Sequence, residues 1–559
     1  MINTLYSRYG GGRIFIKGGV YYPSKTVTIP DGIKLIIEGE GDATVFKYTG
    51  AYRLFWHEPG NATPGAPTWT SVLVFRNFKV DRSGSGSNVT DVLSALYAQF
   101  VMFDNITVID DYTTQPGTAI FGRNNIIVIV QNCRVFNKGD GIFIGGYFVV
   151  LRNNYVVNVS KVGIATSGIT PNIPTPSSPP PFILSIVEDN VCIDCGEADE
   201  ALGVDAGASI PVENALGIIR NNIVVTQSRT MNNGIIAFAH SHVIIENNLV
   251  MGTVTGKAII IGAGGGSGDV VIIRNNKVKV TASAPIINSY WSFNKIVVEN
   301  NDIEATISEN TSVLNIGLHK SAVIVNNKFN ITYTYSGDIS LVFNIDTSSG
   351  DVTYVRGNRI VVATQSGYYV GKLMFVYAPV YVEDNYIQVP LTSNYSAVWI
   401  GVKASQAEAV VKDNVINAGG GYAIGLGFYV NTTLTLLVRG NRVYGASPSI
   451  IYFLASGVTV TLYLDTDPEI SISPISGMTV YRFRRNSGVA TFSGDGTTTQ
   501  FKIAHGLAKA PSKIQVTPGS SDAKGGFYVT ADSTYIYVNY DTAPPAGTNN
   551  IVLYWYAEV

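Results

Sequence analysis

The sequence predicts an all-β fold: a right-handed, single-stranded parallel β-helix followed by a small C-terminal β-sandwich. Three observations predict it. A short motif of apolar strand, Asn, apolar strand recurs fourteen times between Asn77 and Asn441, at a mean spacing of 28 residues. The runs flanking each Asn are short and rich in Val and Ile, as in VVIIR and HVIIE, with no helical periodicity. From about Asn486 the Asn column is gone, and short strands alternate with Gly, Pro, Asn and Asp turns.

The repeat comes first because its length limits the architecture. The motif reads FRNFKV at Asn77, FDNITV at Asn105, VQNCRV at Asn132, LRNNYVV at Asn154, EDNVCI at Asn190 and IRNNIVV at Asn222. It continues through Asn248, Asn276, Asn301, Asn327, Asn358, Asn385 and Asn414 to RGNRVYG at Asn441. Helical solenoids repeat at about 33 to 47 residues and a propeller blade needs about 40, so neither fits. A coil of three short strands does, each strand pairing in parallel with its counterpart one coil away. At about 4.8 Å per coil, fourteen coils make a rod of roughly 65 Å. Asn suits the bend between two strands, because it tolerates left-handed backbone angles and its amide can bond the backbone and the Asn stacked above it. A residue type repeated on every coil is scaffold, not active site.

The ends divide the chain. Residues 1–50 are expected to form capping coils, 51–455 the parallel β-helix, 456–485 closing strands and a linker, and 486–559 the β-sandwich. The N-terminal stretch GGGRIFIKGGVYYPSKTVTIPDGIKLIIEGEGDATVF carries Gly-Gly-x-Ile-x-Ile-x-x-Gly-x-Tyr, then Thr-x-x-Ile-Pro, then Ile-x-Gly-x-Gly. This pattern resembles the first coils of pectin-lyase-like β-helices, which occur in polysaccharide lyases, glycoside hydrolases and viral tailspikes; it implies a fold and leaves the activity open. The C-terminal segment has Ser493-Gly-Asp-Gly-Thr-Thr-Thr, His505-Gly-Leu, Val516-Thr-Pro-Gly, Tyr528-Val-Thr-Ala and Ala543-Pro-Pro-Ala-Gly-Thr-Asn-Asn. It resembles a small domain at the C-termini of surface and tail proteins of archaeal viruses and some phages. That resemblance implies a virion surface protein of an archaeal virus of the turreted or spindle-shaped type infecting Sulfolobales. As a spike or vertex appendage it would attach to a host-surface glycan or glycoprotein or shield the attachment apparatus, with other virion proteins as partners and a homotrimer as the usual assembly.

Composition narrows the alternatives. Charged residues are 14% of the chain and the formal net charge is −2, with no run of Lys and Arg, which argues against nucleic-acid binding. The opening MINTLYSRYGGGRIFIKGG has no export-leader pattern, and no apolar stretch is long enough for a membrane span. Cys133, Cys192 and Cys195 read as buried thiols or one incidental disulfide, since no second CxxC or His pair completes a zinc set. No cofactor is implied. Eight Asn-x-Ser/Thr sequons (Asn61, Asn88, Asn105, Asn158, Asn310, Asn330, Asn394, Asn431) are possible glycan acceptors, though a chain this rich in Asn, Ser and Thr produces several by chance.

The rival reading is a polysaccharide hydrolase or lyase acting on host glycan. Hydrolases on a β-helix use carboxylates on neighbouring coils, about 5 to 9.5 Å apart. The coils lengthen to 36 and 32 residues between Asn154, Asn190 and Asn222, so loops protrude there. One loop is the proline-rich TPNIPTPSSPPPF; the other, CGEADEALGVDAGASIPVEN, holds Glu197, Asp199, Glu200, Asp205 and Glu213. With Asp140 of KGDGIFIGG, these are the candidate catalytic carboxylates. Against them, adjacent Asp-Asp, His-Gly and Arg-x-Lys signals are missing, Gly-Asp-Gly is an ordinary turn, and the loop reads equally as solvated acidic surface. His240 and His242 share a strand face with Glu246, but two histidines do not make a metal site. Trp56 beside His57, Trp69, and Tyr368 and Tyr369 at the head of the Tyr-rich stretch to Tyr386 are the candidate sugar-stacking aromatics; core or interface packing is the competing use.

Overall fold

The computed structural model describes residues 1–559 apart from 60–67, 85–90, 112–116, 168–181, 206–214, 239–240, 263–267, 290–292, 348–351, 393–394, 431, 446–448, 454–457, 466–470, 473–476 and 483. Its main body is a parallel β-solenoid. One coil shows the plan: a first-sheet strand Phe293–Glu299, a bend at Asn300 and Asn301, a second-sheet strand Asp302–Ile307, and a third-sheet strand Leu314–His319. Each pairs in parallel with its equivalents on the coils before and after, so all three sheets run along the rod. Period-2 alternation within a strand sends Ile273, Val298, Ile324 and Val355 into a continuous apolar core that extends from Ile29 to Leu464.

The bend uses two consecutive residues, and the sequence reading had merged them. From Asn153 onward the first is left-handed, with φ between 54° and 57° at Asn153, Asp189, Asn221, Asn247, Asn275, Asn300 and Asn326. Where Gly takes this place, at Gly357 and Gly440, a Cβ would sit 2.4 Å and 2.2 Å from the carboxamide or carboxylate oxygen of the residue one coil below. The second residue is the buried Asn, from Asn154 to Asn441. Its Oδ1 accepts both the backbone N–H and the side-chain N–H of the preceding coil's Asn, as Asn301 does from Asn276 at 2.9 and 3.0 Å, while its own Nδ2 donates to a carbonyl such as that of Ile273 at 2.9 Å. Asn77, Asn105 and Asn132 are different: they hold the left-handed position, and Phe78, Ile106 and Cys133 fill the buried slot behind them. The fourteen asparagines are therefore two columns, not one.

A helix, Ile2–Tyr9, ends on left-handed Gly10 and lays Ile2 and Leu5 against the first coil. The sequence reading expected only strands there. Arg82, Asp110 and Lys138 form a buried ion triad at one corner, with Asp110 Oδ2 3.5 Å from Arg82 and 3.1 Å from Lys138. All three cysteines are free and buried, and burial pushes the Cys133 thiol up to about 12. Among the described residues no helix is long and apolar enough to cross a membrane.

After Arg482 the pairing turns antiparallel. Arg485–Gly494, Gly547–Glu558 and Lys513–Pro518 form one three-stranded sheet, and Gln500–Ala504, Tyr535–Tyr540 and Phe527–Ala531 another. Phe501, Ile536 and Val538 of one share a core with Leu553 and Trp555 of the other. Backbone bonds from Arg482 to Gly506, and from Ala508 back to Arg482, tie this segment to the last coil.

Candidate functional site

The carboxylates singled out from sequence lie at the start of the third sheet. Asp140 opens the strand Asp140–Arg152, and the ladder of Ile142, Ile164 and Leu202 puts Asp140, Val162 and Glu200 in one register column. Two coil spacings, about 9.6 Å of backbone, separate Asp140 from Glu200. Asp140 Oδ1 accepts the Val162 N–H at 3.2 Å. Burial pushes its carboxyl up, and the negative charges of Asp91 and Asp199 push the same way. Capping the next coil is a role Asp140 shares: Asp91 caps Thr118 at 3.1 Å, Asn233 caps Lys257 at 3.1 Å and Asp338 caps Tyr369 at 2.9 Å.

Of the other acidic residues, Asp199 lies near enough for its charge to act on Asp140. Glu197 is exposed and bonded to Arg229 at 3.0 Å. Asp199 is exposed, and Glu200 is half-buried at the start of Glu200–Asp205. Asp205 ends that strand; its side chain, together with Glu213, His240 and most of the proline-rich loop, lies outside the described residues. His242 and Glu246 do share an outward face, but Glu246 is held by Arg274 at 2.6 Å. Among the described residues no group of three or more His, Cys, Asp or Glu could hold a metal ion. Of the sequons, Asn61, Asn88, Asn394 and Asn431 also lie outside the described residues.

The aromatic candidates scatter. Trp69 is buried, donating its indole N–H to the Asn124 carbonyl at 2.8 Å and packing edge-on to Tyr97. Trp56 lies under Arg53, whose guanidinium is 5.1 Å from the ring centroid, and His57 beside it is fully buried. Tyr368 and Tyr369 sit on the loop before the third sheet, with Tyr369 39% exposed. Beyond them the Tyr-rich stretch crosses every face: Tyr377 is on the third sheet, Tyr381 on the first, stacked 5.1 Å from Tyr354, and Tyr386 on the second beneath Arg359.

Two features of the outer surface escaped the sequence reading. The last first-sheet residue before each bend alternates in charge along the rod: Glu38, Arg76 and Asp104 near one end, then Arg152, Glu188, Arg220, Glu246, Arg274 and Glu299 in strict alternation. Arg220 meets Glu188 at 2.6 Å, and Lys412 meets Glu383 at 3.2 Å. The signal was the letter or two ahead of each Asn in the motif. Two residues earlier on the same strands is an outward apolar stripe, in register over seventeen coils from Ile36 through Met102, Ile186, Ile244, Ile272 and Val323 to Tyr481.

No protein-family model matches the chain, and no curated protein is detectably similar to it. Among solved structures it is similar to the tailspike of Pseudomonas phage LKA1, at 12% identity over 98% of this chain and 90% of that one, with a TM-score of 0.27. It is also similar to the tailspike of Pseudomonas phage phi297, at 10% identity over 98% and 90%, TM-score 0.23. A tailspike mutant of E. coli bacteriophage HK620 in complex with a hexasaccharide matches at 11% over 100% and 88%, TM-score 0.34. Likenesses this distant assign no activity to the chain.

Proposed function

We infer that the chain is a structural virion-surface protein, a spike or vertex appendage of an archaeal virus. Its work is to meet a host-surface glycan or glycoprotein, or to shield the apparatus that does. On this reading the coil winds right-handed in the pectin-lyase manner, the two C-terminal sheets are the halves of one β-sandwich, and that domain contacts other virion proteins.

The apolar stripe is the observation that carries the reading. Seventeen rungs at about 4.8 Å give a strip some 75 Å long, and with a sheet face roughly 10 Å wide it offers on the order of 800 Å² per copy, the share each partner contributes to a standard stable interface. A straight strip of constant height needs a straight partner of equal length, and a second copy of this rod has that shape. Three rods packed stripe-inward bury all three stripes, so the assembly is a homotrimer. Antibody raised against the full chain should decorate the surface of purified virions; particles that carry no label would reject the virion assignment.

A polysaccharide hydrolase is the second reading. Its support is Asp140, a partly buried carboxyl held protonated to higher pH beside Asp199, which is what a general acid requires. If it holds, host-surface polysaccharide incubated with the protein is shortened and Asp140→Asn stops the shortening. Unchanged polymer length with the unaltered protein removes this reading for that substrate.

A further inference from the structure

Coils near residues 344–429 bring a set of rings and cations together on the outer face of the third sheet. Asn344, Phe375, Trp399 and Gly425 stand in one register column. A Cβ on Gly425 would lie 2.5 Å from the Trp399 ring and 2.7 Å from Ser396 Oγ, and one on Gly427 2.8 Å from the indole nitrogen. The indole therefore lies flat across two glycines, with the Ser396 hydroxyl at its edge. Tyr377 lies in the same way over Gly401, where a Cβ would be 2.7 Å from its ring and 3.2 Å from that of Tyr429. Tyr429 itself is 55% exposed.

Two lysines reach over these rings, and among the described residues only one is neutralised. Lys403 Nζ lies 3.6 Å from the Tyr377 centroid and 3.3 Å from Asp346 Oδ1. Lys372 Nζ lies 4.5 Å from the Trp399 centroid and 5.6 Å from that of Phe375, and no carboxylate among the described residues is within 4.0 Å of it. Rings of this kind hold a cation in place without cancelling its charge. Ser396, in register with Lys372, is 1% exposed, and its hydroxyl has no partner among the described residues. Among the described residues this half-buried ammonium has no counter-ion, an unfavourable arrangement for a chain alone in water. A ligand that brings a carboxylate relieves it.

We propose that this patch binds an acidic oligosaccharide, a uronate- or sialate-bearing glycan, with the sugar carboxylate on Lys372 and the adjoining pyranose against Tyr429. The proposal rests on the glycan-attachment reading and places the contact on the third sheet, away from the acidic loop after Cys195. Of the patch's charged groups, Lys372 and Lys403 against Asp346 leave one net positive charge, which selects acidic over neutral sugars.

The test is titration calorimetry of the full chain at low salt with tetragalacturonate, an oligosialic acid, neutral maltotetraose and a tetraglutamate peptide. At least one acidic saccharide should bind about tenfold or more tighter than maltotetraose and tetraglutamate, and Lys372→Gln should weaken it about tenfold with the melting curve unchanged. Tyr429→Ala, on an exposed ring, should weaken it several-fold. Equal binding of maltotetraose or tetraglutamate, no binding of either acidic saccharide, or full affinity in Lys372→Gln overturns the proposal. Adsorption of labelled protein to host cells separates the two failures: if the protein adsorbs, and Lys372→Gln adsorbs equally, the patch is wrong and attachment stands. If the unaltered protein neither adsorbs nor binds any glycan, both fall.

Discussion

At the residue scale the buried asparagines set the period, because each satisfies the polar atoms of the bend below it. Asn301 illustrates the cost of losing one. Its Oδ1 is the acceptor for two donors of Asn276, and its Nδ2 serves Ile273 and Asn327. Asn301→Ala would orphan these buried groups, and at about 1–3 kcal/mol for each unmet partner the backbone amide of Asn276 should exchange its hydrogen roughly a hundredfold faster. The exposed neighbour, Asn300→Gly, keeps the left-handed bend and should change exchange by less than about threefold. A buried ring sets a pH response. His319 Nδ1 accepts the Phe293 N–H at 3.3 Å and Nε2 faces Ser289 Oγ at 2.9 Å, and burial lowers the ring to about 4. The unfolded ring takes its proton near 6.5, so between there and about 4 the unfolded state binds more protons and stability falls as the pH falls. About 3 kcal/mol should be lost across that window, and His319→Gln should flatten the denaturant midpoint against pH correspondingly; equal slopes in both proteins would refute it.

At the scale of strands and bends, the repeat was legible because a solenoid writes its period into the chain once per coil. What was misread follows from its geometry. Asn77 and Asn154 look alike in a motif alignment, but whether the buried slot takes Phe78 or an Asn depends on which of two adjacent residues turns left-handed. The charge column was missed by looking for runs along the chain, whereas its members lie a coil apart, as Glu246 and Arg274 do. The ring cluster was missed for the same reason: Tyr368 to Tyr386 are sequence neighbours spread over three faces, while Phe375 and Trp399 are neighbours in space. Ile2–Tyr9 carried no capping side chain to announce a helix. The Arg82, Asp110 and Lys138 triad was likewise invisible, each residue arriving from a different coil. Asp110→Asn removes the carboxylate that the two buried cations share and should cost about 3–5 kcal/mol, read as a lowered thermal midpoint, with the loss concentrated in the coils from Arg82 to Lys138 in hydrogen exchange. A loss below about 1 kcal/mol would mean that water reaches the corner.

At the scale of the whole molecule, each sheet meets a different demand. The second sheet presents paired charges such as Lys279 and Glu304 at 2.9 Å, which suit contact with water. The third carries the rings of Trp399 and Tyr377. The first carries the apolar stripe with its alternating charges alongside, and those charges cancel within the chain, so they add no repulsion when copies approach. Ile244 sits midway along the stripe with Ile218 and Ile272 on the adjoining rungs. Ile244→Arg faces outward, so it leaves the inward core of Val243 and Ile245 intact and should not lower the single-chain melting temperature by more than a degree or two. In a side-by-side trimer, however, it would bury three uncompensated cations near the axis, a cost of several kcal/mol for each. Sedimentation should show the unaltered chain at three times its 60.0 kDa mass and the variant at 60.0 kDa. A variant that sediments with the unaltered protein would show that the stripe is not the contact, and an unaltered chain at 60.0 kDa would show that the rod stands alone.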